Sequence, residues 1–289
     1  MPEAPYTLDR EVPLAGFAFA HETDATPASP RSQAVDQPAV PPLGLGIRLF
    51  GQDFATGAAD GIIAAACALP PLRPRLIVTA NVDHIVLLSQ DPAFRQAYAG
   101  AAMRTLDGMP LVWLARRRRH RPVARVTGHD LLHAVLSAPP AQAARVFLVC
   151  ADERGAAAAR ARFVASGVPA DGVATAVPPF GFEDDRAYGQ ALAERVRAHG
   201  TTLLVMGVGA PKSEIWVDRQ GLALGAPVVL SVGEALNVAA GLVPRAPVLM
   251  QRMGLEWSFR FLCAPRRLFR RYFLRSWRFV LIAARERGP

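Results

Sequence analysis

One aspartate has the sequence surroundings that a general base needs. Asp107 stands in Leu106-Asp107-Gly108-Met109-Pro110, between a β-type run and a helix whose first turn holds a proline. A carboxylate in a partly desolvated cleft can accept the proton of an attacking hydroxyl. The same carboxylate would equally serve as the N-cap of the helix that follows, and the spacing alone leaves both roles open. Thr79 and Asn81 follow the apolar run Leu76-Ile77-Val78 and are placed to hydrogen-bond a sugar or to orient the base. Asn after a strand is also ordinary turn chemistry. Gly207-Val208-Gly209-Ala210-Pro211-Lys212 is a glycine-rich strand-to-helix turn, leading into Ser213 and Glu214. Glycines let the backbone approach a ligand, and a helix N-terminus offers N–H groups to phosphate oxygens. The turn lacks the Gly before Lys of a Walker loop, and Lys212 stands where the dinucleotide fingerprint has its third glycine. By itself it reads as a tight β–α turn as readily as a phosphate site.

The remaining charged groups are less specific. Arg116–Arg119 and Arg121 read as a solvated helix end, and Arg125 in Arg125-Val126-Thr127-Gly128 stands apart from them before another predicted helix. Glu183-Asp184-Asp185 has the position of a helix-start cap favoured by the helix dipole. No metal-ligand spacing emerges, and no cofactor is expected. The three cysteines, Cys67, Cys150 and Cys263, lie far apart, as in a reduced protein with neither a zinc nor a disulfide framework. The six histidines are scattered, without a nucleophile–His–acid order.

Short apolar runs alternating with helical stretches must hold these residues. Expected strands are Arg75–Thr79, Arg104–Leu106, Arg145–Cys150, Gly172–Val177, Leu203–Val208 and Val228–Val232. Expected helices are Asp83–Ala102, Met109–Arg119, His129–Leu136, Glu153–Ser166, Asp184–His199 and Lys212–Leu224. This alternation predicts a Rossmann-like α/β fold, a mainly parallel sheet with helices on both faces. In such a sheet ligands bind beyond the C-terminal strand ends. That rule gathers Thr79, Asn81, Asp107, the Gly207–Glu214 turn, Gly233 and Glu234 along one edge. Three regions are expected: a disordered Pro-rich lead-in over 1–44, an α/β domain over 45–244, and a basic amphipathic membrane-associating appendage over 245–289.

The chain has 289 residues and a formal charge of +9, and that excess is not spread evenly. Residues 245–289 hold eleven Arg against Glu256 and Glu286, so the entire excess lies there. The rest is balanced, which argues against a nucleic-acid-coating protein and for a neutral body with a cationic arm. On a helical wheel Arg266, Arg267, Arg270, Arg271, Arg275 and Arg278 share one half, opposite Leu268, Phe269, Tyr272, Phe273, Phe279 and Val280. Arginines backed by aromatics form an interfacial helix on anionic lipid, set against the plainer reading of a core-packing helix with a charged outer face. No apolar run is long enough to span a bilayer, and the acidic, Pro-rich start is unlike a secretory signal.

Taken together and in order, these stretches resemble the WecG/TagA/CpsF glycosyltransferase family. The carrying residues are Thr79-Ala80-Asn81, Leu106–Pro110, Arg125–Gly128, Gly207–Trp216, Gly241 through Arg245-Ala246-Pro247, and Gly254-Leu255-Glu256-Trp257 through Arg260, Pro265 and Arg271-Tyr272. The resemblance covers about residues 45–275. It implies a metal-independent, inverting transfer from a nucleotide sugar, usually a UDP-sugar, to a polyprenyl-diphosphate-linked saccharide. It further implies a cytoplasmic enzyme, peripheral on the inner face of a bacterial plasma membrane, with no nucleic-acid partner. Asp107 matches the family's proposed base, Thr79 and Asn81 its pocket, and Arg125 an arginine near the sugar nucleotide. Arg260, Arg267 and Arg270 match appendage arginines that close over the pocket and stabilise diphosphate. Ser213 replaces the family's common Gln, and Leu236-Asn237 replaces its Phe-Asp pair. Ser is shorter and lacks the amide, so a donor contact is lost or bridged by water. An apolar face left uncovered by the appendage would favour self-association. The rival classes are a nucleotide-cofactor oxidoreductase on the same scaffold and a basic-tailed nucleic-acid-binding protein.

Overall fold

The computed structural model describes residues 46–119, 123–139, 144–269 and 276–286. The expected lead-in, residues 1–44, lies outside the described residues. A short antiparallel hairpin opens the described chain, β1 (Ile47–Leu49) and β2 (Gln52–Phe54). Its two-residue turn places Phe50 and Gly51 at φ of 52° and 70°, the left-handed backbone that tight hairpins require. The alternation then follows as α1 (Ala59–Ala68), β3 (Arg75–Ala80), α2 (Val82–Gln90), α3 (Pro92–Ala99), β4 (Met103–Leu106), α4 (Met109–Arg119) and α5 (Gly128–Ser137). It continues as β5 (Val146–Val149), α6 (Glu153–Ala165), β6 (Val173–Ala176), α7 (Arg186–Ala198), β7 (Leu203–Met206), α8 (Lys212–Gln220), β8 (Val228–Ser231) and α9 (Ala235–Ala239).

Six strands form one all-parallel sheet in the order β4-β3-β8-β7-β5-β6. Strands buried on both faces read as near-continuous apolar runs, as the central β3, β8, β7 and β5 do. The two-residue period of the strand divides them between two cores. Leu76, Val78, Phe147, Leu204 and Val229 face the helices α2, α3, α4, α7 and α8. Ile77, Val146, Leu148, Val205 and Leu230 face α1, α5, α6 and α9. The fold is therefore the doubly covered parallel α/β sheet that the alternation predicts.

Three expectations about elements change. The helix expected over Asp83–Ala102 is two helices, because Pro92 cannot donate a backbone hydrogen bond and Asp91 takes the N-cap of α3, accepting from Phe94 N–H at 3.0 Å. The helix expected over Lys212–Leu224 leaves α geometry at Gly221 and finishes as a 3₁₀ turn, Gly221–Leu224. The basic wheel is carried by two separate described helices, α12 (Pro265–Phe269) and α13 (Trp277–Arg285), with 270–275 outside the described residues. Before them lie α10 (Val248–Arg252) and α11 (Glu256–Cys263). α13 packs on α2, its Phe279 ring 5.9 Å from Phe50. Its C-cap Glu286 accepts from Phe50 N–H at 2.6 Å and pairs with Arg118 at 3.8 Å.

Candidate active site

Two strand ends bring Asn81 and Asp107 together. Backbone N–H groups of Asp107 and Gly108 both donate to the Ala80 carbonyl, at 2.8 and 3.1 Å, which folds the β4–α4 turn across the end of β3. A side chain at Gly108 would press on Asn81 Cα at 3.3 Å, so glycine permits this approach. Asn81 caps α2, its Oδ1 accepting from His84 N–H at 3.2 Å. Beside β4 runs the segment before α5: Val126 N–H donates to Leu106 O at 2.9 Å, and Thr105 Oγ1 donates to Val126 O at 2.8 Å. Thr127 then starts α5 with a capping box to Asp130, which fixes where this segment stops. Arg125 is thereby held next to Asp107. Its Nε donates to the Asp107 main-chain oxygen at 2.7 Å, and its Nη2 lies 3.5 Å from Asp107 Oδ1.

The appendage supplies the opposite wall. Gly254, at φ 73°, packs on Met109, where an added Cβ would fall 2.8 Å from Cγ. α11 then presents Glu256, whose Oε2 accepts a hydrogen bond from Arg125 Nη2 and whose Oε1 lies 3.4 Å from Arg260 Nη2. Between body and appendage lies a cavity of about 370 Å³. Its polar lining includes Asn81, Asp83, Asp107, Arg125, Glu234, Glu256, Arg260 and Ser276, and its apolar part Val82, Met109, Pro110, Trp257, Leu268 and Phe279.

Electrostatics divide the two carboxylates. Burial is the largest influence on Asp107 and pushes its pKa up to about 6, against the attraction of Arg125 and Arg260. Glu256 and Asp130 add to the rise by repulsion. Burial would also raise Glu256, but the hydrogen bond and charge of Arg125, with Arg260 and Arg245, hold it below the usual glutamate value. Burial acts to lower Arg125, yet Asp107 and Glu256 outweigh it and raise its pKa. Glu256 is thus a fixed anion, while Asp107 stands near neutrality between proton acceptance and release.

The sequence-predicted residues separate into groups. Asn81, Asp107, Arg125 and Arg260 meet around the cavity. Thr79 is buried in β3, opposite Thr105, and is not among the lining residues. Gly209, Lys212, Ser213 and Glu214 also lie off this lining. Gly209, at φ 81°, is packed by Gly233, whose added Cβ would sit 3.3 Å from its Cα, so the glycines serve loop-on-loop packing. Ser213 is buried with its hydroxyl 3.3 Å from Gly209 O, and Lys212 Nζ stacks 4.6 Å over the Phe180 ring. Glu214 is buried and accepts from Ser231 Oγ at 2.6 Å. Arg270 lies outside the described residues; Arg267 is described only as part of the α12 backbone. Asp107 directs its carboxylate at Arg125, the partner the structure gives it. Among the described residues no group of three or more His, Cys, Asp and Glu is arranged to hold a metal ion.

Sequence reasoning passed over Glu256 as a site residue. Its one signal is its isolation, as one of two acids among eleven arginines. Such an acid persists in a cationic segment where it has fixed partners to hold.

The sequence model of the Glycosyl transferase WecG/TagA/CpsF family matches residues 47–289. The chain belongs to this family. As a WecG/TagA/CpsF member it is a glycosyltransferase of polysaccharide biosynthesis. The match reaches from the β1–β2 hairpin to the last residue, so the basic appendage is part of the family's own sequence pattern.

Proposed function

We propose that this WecG/TagA/CpsF glycosyltransferase moves a sugar, with inversion and without a metal, from a UDP-sugar to a polyprenyl-diphosphate-linked saccharide. Asp107 is the base. It takes the proton of the acceptor hydroxyl, the oxygen attacks the anomeric carbon in line, and the bond to UDP breaks with its electron pair leaving on the diphosphate. Arg260, with Arg267 and Arg270, stabilises that charge, as guanidinium groups do without a metal. The observation that carries this reading is the Asp107 carboxylate lining a cavity between two arginines, with burial raising its pKa to about 6. Such a value leaves the group ionised at neutral pH yet basic enough to accept a proton. Asn81, which lines the cavity, is assigned to the donor side in this proposal; Thr79, Gly209, Lys212, Ser213 and Glu214 lie off that lining and are given no donor contact.

The acceptor assignment implies a protein that sits peripherally on the cytoplasmic face of the plasma membrane. No helix among the described residues is long and apolar enough to cross a bilayer. Leu262, Phe269, Trp277, Val280 and Leu281 are exposed, with Arg266, Arg278 and Arg285 exposed among them. Apolar side chains ringed by arginines support docking on anionic lipid. The experiment that tests the reading is a panel of UDP- and GDP-sugars with a lipid-linked acceptor, run on the native chain and on Asp107→Asn. A general base contributes about 10²- to 10⁴-fold, so the variant should lose that much turnover while retaining donor binding. Undiminished turnover would remove Asp107 from the role.

A further inference from the structure

Among the described residues Arg125 is the only arginine with an ion pair to Asp107, and Asp107 does not have Arg125 to itself. The same nitrogen, Nη2, is claimed twice: by Glu256 Oε2 through a hydrogen bond, and by Asp107 Oδ1 at 3.5 Å. The longer distance is an ion pair without a well-formed hydrogen bond. The remaining hold of Arg125 on this aspartate goes to the main-chain oxygen. Glu256 therefore receives the better share of the guanidinium, and it also holds Arg260 from the other oxygen at 3.4 Å.

We propose that Glu256 is a positioning residue that draws Arg125, together with Arg260, away from the Asp107 carboxylate and so keeps that carboxylate a competent base. The inference rests on the reading of Asp107 as the base. Its physical ground is competition for a shared cation. Removing one partner of a buried ion pair leaves the other charge uncompensated. Without Glu256, the nearest carboxylate left for Arg125 is Asp107, and a movement of less than 1 Å would turn 3.5 Å into a full charge-assisted hydrogen bond. A carboxylate so held binds a proton less readily. Among the described residues, the charged groups that act on Asp107 agree with this direction. Asp107 is faced by Arg125 before α5, Asp130 within α5, and Glu256 and Arg260 on α11. Asp83 at the start of α2 and Glu234 after β8 line the same cavity. Glu256 is faced by Arg125, Arg260 and Arg245. Loss of the Glu256 charge thus removes a repulsion from Asp107 and releases two cations toward it, and both effects act downward.

The test is the pH dependence of kcat/KM for the full chain and for Glu256→Gln, which preserves shape and removes the charge. An opposite charge brought against a carboxylate lowers its pKa by about 1–3 units, so the acid limb should move down by about one pH unit while plateau turnover falls. Glu256→Asp keeps the charge but withdraws it by one methylene, and its limb should lie between the two. A merely structural Glu256 would lower activity alike at every pH with both the limb and the carbon-13 titration of the Asp107 carboxyl unmoved, and that result overturns the inference, as does an upward shift. Should Glu256→Gln fail to fold, Glu256→Asp decides alone, and a limb and an Asp107 carboxyl titration that both stay unmoved there overturn it. A carbon-13 titration of the Asp107 carboxyl in the same variants separates the two layers. If the carboxyl titration moves down while the activity limb stays, Glu256 positions Arg125 as inferred and it is the base assignment that fails.

Discussion

At Asp107 burial outweighs the attraction of two arginines. Burial pushes the carboxyl up, Arg125 and Arg260 pull it down, and the outcome is about 6. A base acts only when deprotonated, so kcat/KM should be flat above about pH 7 and fall tenfold per unit as pH drops below about 6. A rate profile with no inflection between about pH 5 and 7 would contradict that assignment. The same raised value carries a stability sign. A folded-state pKa above the unfolded value means that ionisation costs folding free energy at neutral pH, and that cost is relieved as pH falls through about 6 toward about 4. Asp107→Asn should therefore melt at higher temperature than the native chain at pH 7.5, with the difference gone by about pH 4. Differential scanning calorimetry at the two pH values checks it. Residue types made Asp107 a candidate in the sequence, but only the tertiary structure brings Arg125 and Glu256 beside it.

At the scale of elements, two turns and one cap do the positioning. The Thr127–Asp130 capping box ends the extended segment that carries Arg125 and starts α5. Replacing a capping Thr by Ala costs about 1 kcal/mol. Thr127→Ala should show that loss in urea unfolding and should also depress kcat/KM, because the cap sits two residues from Arg125. Unfolding without any kinetic effect would mean that the β4-side hydrogen bonds hold Arg125 unaided. Most of these elements were legible in the sequence because each is coded locally. The apolar runs of β3, β5, β7 and β8 and the periodicity of α4 to α7 are found within a residue or two of their expected ends. The expected Asp83–Ala102 helix failed at Asp91-Pro92, where turn chemistry overrides apolar spacing. The β1–β2 hairpin and α1 escaped because three-residue strands and an alanine-rich helix have weak periodic signatures.

For the whole molecule, the cationic arm has two surfaces. Leu268 and Phe279 turn inward to the cavity, and Glu286 ties α13 to Phe50 and Arg118. Trp277, Val280 and Leu281 turn outward with Arg278 and Arg285. An arginine near an anionic surface contributes about 1 kcal/mol. Arg266→Ala with Arg278→Ala should therefore weaken binding to anionic vesicles roughly 30-fold at physiological salt and leave zwitterionic vesicles unaffected. Equal affinity for both vesicle types in a sedimentation assay would place lipid docking elsewhere. The sequence by itself determined the parallel α/β sheet, the strand ends at which Asn81 and Asp107 stand, and the concentration of +9 in residues 245–289. These follow from periodicity, turn residues and counting, all of which depend on near neighbours along the chain. Only the tertiary structure decided which candidates share a cavity, that the Gly207–Glu214 turn lies outside its lining, and that Glu256 competes with Asp107 for Arg125. Arg125 and Glu256 are 131 residues apart, and no local pattern records a partnership made when the appendage closes on the ends of the strands.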